Sequence, residues 1–428
     1  MKKKTMRRML YTVLVITGVY ALSRIPVTGV SRDYLSAFLG SSAAGTFMDD
    51  LAGGTLSQLS LGTFGISSYI TASIVIQLLM VIFPSLEKLR KDGERGRRIF
   101  EKAELALGIA LAAAGSATLS IAMARNGMLA HNSWPWMLLA SAEWTAASFV
   151  IMKLALSIEE KGIGNGPSLL LAFNIISRIP SRAVTLYDAY LSGHSMAYML
   201  PRIGASIAML AVLVIMSVWL SESMLDVRIL MTGKKSSVFS ADGYIPMPVN
   251  IANVLPVIYA QTVISMPTMI ATLTGKKLPG VIASIVDMSE WHELSSWKGW
   301  AGIGIYLLLL FIFGFFGSGM SFSADEIADT MRRNGDVMPG VNPGTDTANE
   351  FRWRQRRLTV ISVIVLGILT LVPDIIADRS GMVMLVMNGT SLVIVAGVLM
   401  DEARRIVART RSGGRKFRLF PKGRRIRQ

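Results

Sequence analysis

From Met9 to Met400 the chain is made of apolar runs long enough to cross a bilayer, separated by short polar segments. A hydrocarbon core about 30 Å thick takes about 20 apolar residues of helix. Within it every backbone amide must find its partner inside the helix or in surrounding protein. Repeated runs of that length leave few folds open. The chain must form a bundle of membrane-crossing helices, with broken or polar backbone admitted only where protein or water covers it. Ten runs are legible, at about residues 9–24, 66–84, 103–125, 134–157, 167–180, 203–224, 252–273, 300–322, 358–376 and 382–400. The first and fifth are short for the hydrocarbon thickness and fit only inside a bundle or beside a re-entrant segment. Composition agrees, since charged residues are 17% of the chain and hydrophobic residues 52%, against about 25% charged in soluble domains.

The net charge is +16. Such a chain either binds nucleic acid or keeps its cations on one side of a membrane, and location decides between the two. With the N-terminus cytoplasmic, 33 of the 44 Lys and Arg fall in cytoplasmic segments, ten on the opposite side, and Lys153 inside the fourth run. That asymmetry predicts both termini on the cytoplasmic side of a multi-pass protein. The opening MKKKTMRR, followed by apolar residues 9–23, mimics a secretory signal peptide. It lacks a small-residue cleavage site and many runs follow, so it reads as a retained first helix. The expected organisation is a cytoplasmic N-terminus at 1–8 and a first half of five helices over 9–180. An external hinge loop at 181–202, a second half of five over 203–402, and a basic cytoplasmic tail at 403–428 complete it. An odd number of helices per half puts the halves in opposite topology, as in inverted repeats, although no internal sequence repeat is visible.

Several chemistries are excluded. Cysteine is absent, so neither disulfides nor thiolate metal sites exist. His131, His194 and His292 all fall in predicted external loops, and His292-Glu293 does not continue as HExxH. No intramembrane Ser/His or Asp/Asp pair is evident, so the chain does not read as an intramembrane hydrolase, and no metal or cofactor site is legible. Gly162, Gly164 and Gly166 are not followed by Lys-Ser/Thr nor preceded by a strand, so they read as a tight cytoplasmic turn rather than a phosphate cradle. Glu143 stands mid-run, where a carboxylate costs about 2.5–3.5 kcal/mol. It is expected to face the bundle as a protonated or hydrogen-bonded structural residue. Lys153 lies about 15 Å further along the helix and cannot pair with it. A secondary transporter would need a cluster of such groups at mid-membrane, and Glu143 is the one candidate.

Residues 51–65 are too polar and glycine-rich to span lipid, yet they lead straight into the second run. This segment opens a series of motifs: GGTLSQLSLGTFGISSYITASIVIQLL from Gly53, PSLEKLRKDGERGRR from Pro84, and KGIGNG from Lys161. FSADEIA follows from Phe322, PGVNPG from Pro339, RLT from Arg357 and GTSLVI from Gly389. In order and spacing, from about residue 24 to 405, they resemble the SecY family of bacterial protein-translocation channels.

The resemblance implies an all-α polytopic membrane protein of ten transmembrane helices in two inverted five-helix halves, with a re-entrant plug helix near 51–65. It implies a channel in the bacterial inner membrane that translocates unfolded secretory polypeptides and releases transmembrane segments laterally into lipid. The implied partners are SecE-like and SecG-like small membrane subunits, the SecA motor ATPase, the ribosome, the translocating polypeptide with its signal sequence, and membrane lipids. Carried over position by position, the pore ring is Ile66 and Ile70 from helix two, Leu171 and Ile175 from helix five, Leu255 and Ile258 from helix seven, and Ile394 from helix ten. Branched apolar side chains bind no residue type tightly, yield around a passing chain, and exclude ions by desolvation. The plug carries Gly53, Gly54, Leu56, Leu59 and Leu61. Gln261 and Thr262 mark a lateral gate, the seam between helices two and three on one side and seven and eight on the other.

Docking of motor or ribosome falls to Arg228, Lys234, Lys235, Arg332, Arg333, Asn342, Arg354, Arg356 and Arg357, cations that suit polyanionic ribosomal RNA. Two departures stand out. The loop opening at Glu222 carries fewer cations than the family's, and Asn342 replaces a characteristic arginine. They leave an accessory SecY with a narrow substrate set as the alternative, and a ten-helix secondary transporter as a remote one.

Overall fold

In lipid the apolar runs have no backbone partners except their own, so they wind into helices. The structure, a computed structural model, describes residues 2–29, 59–83, 85–86, 89, 93–125, 133–186, 196–231, 241–274, 279–286, 291, 297–379 and 389–411. The first helices are α1 (Lys2–Leu22), α2 (Gly65–Ile82), α3 (Gly93–Arg125), α4 (Trp134–Lys161), α5 (Gly166–Ser177) and α6 (Ile179–Leu186). They are followed by α7 (Met196–Glu222), α8 (Leu255–Thr274), α9 (Gly280–Val286), α10 (Trp297–Ser321), α11 (Ala324–Asn334), α12 (Thr345–Arg379) and α13 (Gly389–Arg411). The second to fifth runs correspond to α2–α5, and the sixth to tenth to α7, α8, α10, α12 and α13.

Among the described residues, 5 helical stretches are long and apolar enough to cross a membrane: Arg95–Ala124, Trp134–Lys161, Leu200–Glu222, Trp297–Asn334 and Thr345–Pro373. Helix α5 has 12 residues, about 18 Å of rise, well short of the hydrocarbon thickness. It is the short fifth run, and it depends on its neighbours for cover.

One element corrects the all-α expectation. Strand β1 (Met224–Met231) pairs antiparallel with β2 (Ala241–Pro248), Met224 opposite Pro248. The cause is local alternation: Val227 and Ile229 are buried while Arg228 between them is exposed, the period of a half-buried strand. Eight residues squeezed between two strong membrane runs are easily read as loop. Leu230 of β1 also exchanges both backbone hydrogen bonds with Val337, at 2.8 and 3.0 Å. The hairpin and the 335–344 segment therefore form one platform.

Two apolar cores result. The first gathers α1, α2, α3 and α4 around a fully buried Trp144, with Phe64 edge-on to it at 6.0 Å. The second, larger core joins α5, α7, the hairpin, α8, α10, α12 and α13. Lipid is as apolar as leucine, so close packing and polar bonds between helices hold such a bundle. Ser116 of α3 bonds both Ser141 and Thr145 of α4 at 3.1 Å. In the second core, Ser362 of α12 donates to Asn250 at 2.8 Å. Lys153 stays exposed, 5.9 Å from the centre of the Phe149 ring. Ile70 packs against both cores.

Candidate functional site

Where the two cores meet, α2, α3, α4, α5, α8 and α10 border an open cavity of about 600 Å³. Its apolar lining includes Ile70 and Ile74 of α2, Leu171 of α5, and Leu255 and Ile258 of α8. Its polar lining includes Arg97, Glu101 and Glu104 of α3, Glu159 of α4, and Asn165 in the turn before α5. Four of the seven residues expected in the ring, Ile70, Leu171, Leu255 and Ile258, thus line one space between the two cores. The other three are placed in the packing beside it: Ile66 is buried in the first core, Ile175 and Ile394 in the second. Helix α5 is brought there by the glycine turn before it. Gly164 takes φ 101°, a region open to glycine and costly for others. Asn165 caps the helix, its side chain accepting from the Ser168 amide at 3.0 Å.

Of the plug residues, Gly53, Gly54 and Leu56 lie outside the described residues. Leu59 is buried and Leu61 half-buried against the first core. Leu59 sits at φ 47°, a left-handed conformation costing about 1–2 kcal/mol in an L-residue. It is held by pairing with the segment after α1: the Val27 amide donates to the Leu59 carbonyl at 3.2 Å, and the Leu61 amide to that of Ile25 at 2.9 Å. The Trp144 indole donates to the Ser60 carbonyl at 3.0 Å. Glu143 is hydrogen-bonded, its two oxygens accepting from the amide and the hydroxyl of Thr28.

At the seam, Gln261 and Thr262 are buried in α8. The Thr262 hydroxyl turns back to the Ile258 carbonyl of its own helix at 2.7 Å. The group that reaches across is one the sequence did not single out. The Tyr259 hydroxyl of α8 donates to Gln77 Oε1 of α2. Gln77 donates to Ser73 at 3.0 Å, and Ser73 to Glu104 of α3 at 3.3 Å, where the Tyr69 hydroxyl also donates at 2.8 Å. A polar relay therefore runs from α3 over α2 to α8. Gln77, the one amide side chain in its apolar run, was the available signal, but its partner lies 182 residues away.

On the other side of the cavity α13 holds three neighbours. Glu402 accepts from the Asn165 amide at 2.7 Å, Asp401 accepts from Asn253, and Arg404 donates to the Ser221 carbonyl. The described residues expected to dock a motor or ribosome lie on the hairpin, α11, the 335–344 segment and α12. Arg228 is exposed on β1, Arg332 and Arg333 on the last turn of α11, and Arg356 and Arg357 on α12. Arg354 pairs with Glu350 at 3.1 Å, and the Arg357 guanidinium stacks 3.7 Å over the Trp353 ring. Arg352 pairs with Asp325, which joins α12 to α11 and raises the arginine's pKa. Asn342 is exposed and donates to Asp346 at 3.2 Å. Lys234 and Lys235 lie outside the described residues, as do the three histidines. Among the described residues no group of His, Asp and Glu could hold a metal ion.

A family model described as SecY matches residues 60–403. The protein translocase subunit SecY of Thermus thermophilus is 28% identical over 414 residues, covering 94% of this chain and 91% of the relative. That of Mycobacterium tuberculosis is 29% identical over 429 residues, covering 94% and 93%. Among solved structures, one described as a protein-conducting channel superposes with a TM-score of 0.67 at 14% identity, over 96% of this chain and 95% of the other. Sec61 in the canine ribosome–channel complex from the endoplasmic reticulum gives 0.59 at 15% identity, over 96% and 95%. With the family model spanning most of its length, this multi-pass membrane chain belongs to the SecY family of protein-conducting channels.

Proposed function

We propose that this channel carries unfolded secretory polypeptides across the bacterial inner membrane and lets transmembrane segments out into lipid between α2/α3 and α8/α10. The observation that carries the reading is the cavity between the halves, lined by Ile70, Leu171, Leu255 and Ile258. Side chains of this kind close on one another at rest and shed water, so ions meet a desolvation barrier, yet they give way to any sequence. In this reading Ile66, Ile175 and Ile394 complete the ring, and Gly53, Gly54, Leu56, Leu59 and Leu61 belong to a plug that seals it from outside. Gln261 and Thr262 soften the gate. The chain has ten membrane helices in two inverted halves with both termini cytoplasmic, as the 33-to-ten split of cations favours. SecE-like and SecG-like subunits flank it. The SecA motor and the ribosome dock on the platform of Arg228, Arg332, Arg333, Arg356 and Arg357, where exposed cations suit an acidic or polyanionic partner. No bond is made or broken by the channel; a motor ATPase or translation does the work.

The test is a cysteine at Ile70 or Ile258, introduced cleanly because the chain has none. In vesicles holding a substrate arrested in transit, either cysteine is expected to crosslink to the substrate, whereas one at the outward-facing Phe149 is not. Absence of crosslinks from both inner positions overturns the pore assignment.

A further inference from the structure

Helix α4 carries an acid, Glu143, ten residues into its membrane-length stretch, and passage of a polypeptide has no use for it. A carboxylate at that depth is costly and persists where it holds something. Its two oxygens meet a single residue: the backbone amide of Thr28 at 3.1 Å, and the Thr28 hydroxyl. Thr28 lies in the segment after α1 that pairs antiparallel with the residues leading into α2. Val27 bonds Leu59, Leu61 bonds Ile25, and Pro26 faces Ser60. The next residue on α4, Trp144, is fully buried and donates to the Ser60 carbonyl of the opposite strand. Adjacent residues of one helix thus grip both strands of the pair, one by a carboxylate and the other by an indole. Two turns earlier on α4, the Trp136 ring lies so close to Gly29 that a side chain there would strike it. From Ser60 the chain runs through Phe64, edge-on to Trp144, into α2, where Ile66 and Ile70 follow.

We propose that Glu143 is a positioning residue for the constriction. By holding Thr28 it fixes the strand pair, and through that pair it fixes where α2 begins and the level at which Ile66 and Ile70 stand. The proposal rests on reading those two side chains as part of the ring. An acid suits the task better than an amide, because a carboxylate makes both bonds charge-assisted. Glutamine can accept from the Thr28 amide and donate its NH2 to the hydroxyl oxygen, but both bonds are then between neutral groups and weaker.

The experiment measures resting ion leak from vesicles holding the full chain with the small membrane subunits that co-purify. Glu143→Leu is expected to raise leak about tenfold, and Glu143→Gln and Thr28→Val about threefold each, the factors set by losing all or part of a charge-assisted pair. Thr28→Val added to Glu143→Leu should add nothing, since both remove the same contact. Motor-driven translocation and thermal unfolding stay near the parent's. Ile70→Gly serves as the control for the ring. If it leaks and none of the Glu143 and Thr28 variants does, the positioning role is wrong and the ring stands. A tight Ile70→Gly channel removes the ring reading, and this proposal with it. If leak rises only in step with lost thermal stability and lost translocation, Glu143 is a stabiliser and the proposal fails. Should Glu143→Leu not assemble, Glu143→Gln and Thr28→Val decide the matter alone.

Discussion

Along one edge, where α5 meets α13, the two halves of the channel are joined by backbone and buried charge. Along the other, where α2 and α3 face α8 and α10, they are joined by apolar side chains beside a cavity and by the hydroxyl of Tyr259. At the first edge the Asn165 amide donates to a Glu402 that is 6% exposed. The carboxylate fills the space a side chain at Gly164 would need. Asp401 and Arg404, on the same turns of α13, bind Asn253 and Ser221 within the second half, so the helix that carries Glu402 is itself anchored. A hydrogen bond to a charge in a protein interior is among the stronger single ties. A neutral hydroxyl-to-amide bond next to an open cavity is among the weaker. Under the proposed sideways opening one edge must hold while the other parts, and the bonding is graded in that direction.

The sharpest way to break the comparison is at Gly164. Alanine there meets a φ of 101° and the Glu402 carboxylate at once. Strain of about 1–2 kcal/mol and loss of a charged hydrogen bond of about 1.5–3 kcal/mol together predict a loss of about 3 kcal/mol or more. Thermal or denaturant unfolding in detergent measures it. Glu402→Ala placed on top should cost little further, because the same tie is already lost. If Gly164→Ala costs no more than a substitution at the seam, the two edges are equivalent and the grading is wrong.

Next in size is Tyr259→Phe. The ring stays edge-on to Phe313, at 5.6 Å, and the bond to Gln77 goes, worth about 0.5–1.5 kcal/mol. Gln77 keeps its bond to Ser73. The seam is expected to part more readily, so segments of lower hydrophobicity leave into lipid. A graded series of leucine and alanine segments, scored for integration against secretion, reads the threshold. A threshold that stays put, or that moves toward more hydrophobic segments, takes the seam's restraint away from Tyr259.

The helices were largely legible because lipid makes hydropathy a direct record of length: the run at 134–157 is α4 (Trp134–Lys161), and that at 300–322 is α10 (Trp297–Ser321). The errors lie where helix continues into water. Helix α3 starts at Gly93, well before its apolar run, on turns carrying an Arg97–Glu101 pair at 2.7 Å. Helix α12 likewise starts at Thr345. Apolarity marks the part of a helix in lipid and is blind to the part beyond it. The β-hairpin was missed for the related reason that its two-residue period is short and lies between stronger signals.

The site was half legible. Ile70, Leu171, Leu255 and Ile258 were picked out by resemblance, since an isoleucine in an apolar run looks like any other. The polar groups that hold the halves, Tyr259 with Gln77 and Glu402 with Asn165, are pairs 182 and 237 residues apart. No local pattern announces such pairs. Glu143 was conspicuous because its cost in lipid is large, but its partner was not.

The smallest effect is expected on the proposed docking platform. Asn342 is exposed. Its carbonyl accepts from the Thr347 hydroxyl at 2.9 Å, while its amide reaches Asp346 at 3.2 Å. Gly340 at φ 77° and Gly344 at φ 107° shape the turn around it, so the backbone, not the side chain, sets the loop. Asn342→Arg keeps the carbonyl bond and offers Asp346 a guanidinium, and stability should stay within about 0.5 kcal/mol. What changes is the surface: five donors in a rigid fork with a permanent charge replace a short neutral amide. An added exposed cation should strengthen docking of an acidic partner, mainly through faster association. A gain of about threefold to tenfold in the affinity of a SecA-type motor is expected in reconstituted vesicles. Resting leak and the integration threshold should stay as they were. Unchanged affinity would remove Asn342 from the docking set and leave the work to the neighbouring arginines. A shifted threshold would be more informative, because it would show that the platform, through the hairpin bonded at Leu230 and Val337, bears on the seam itself.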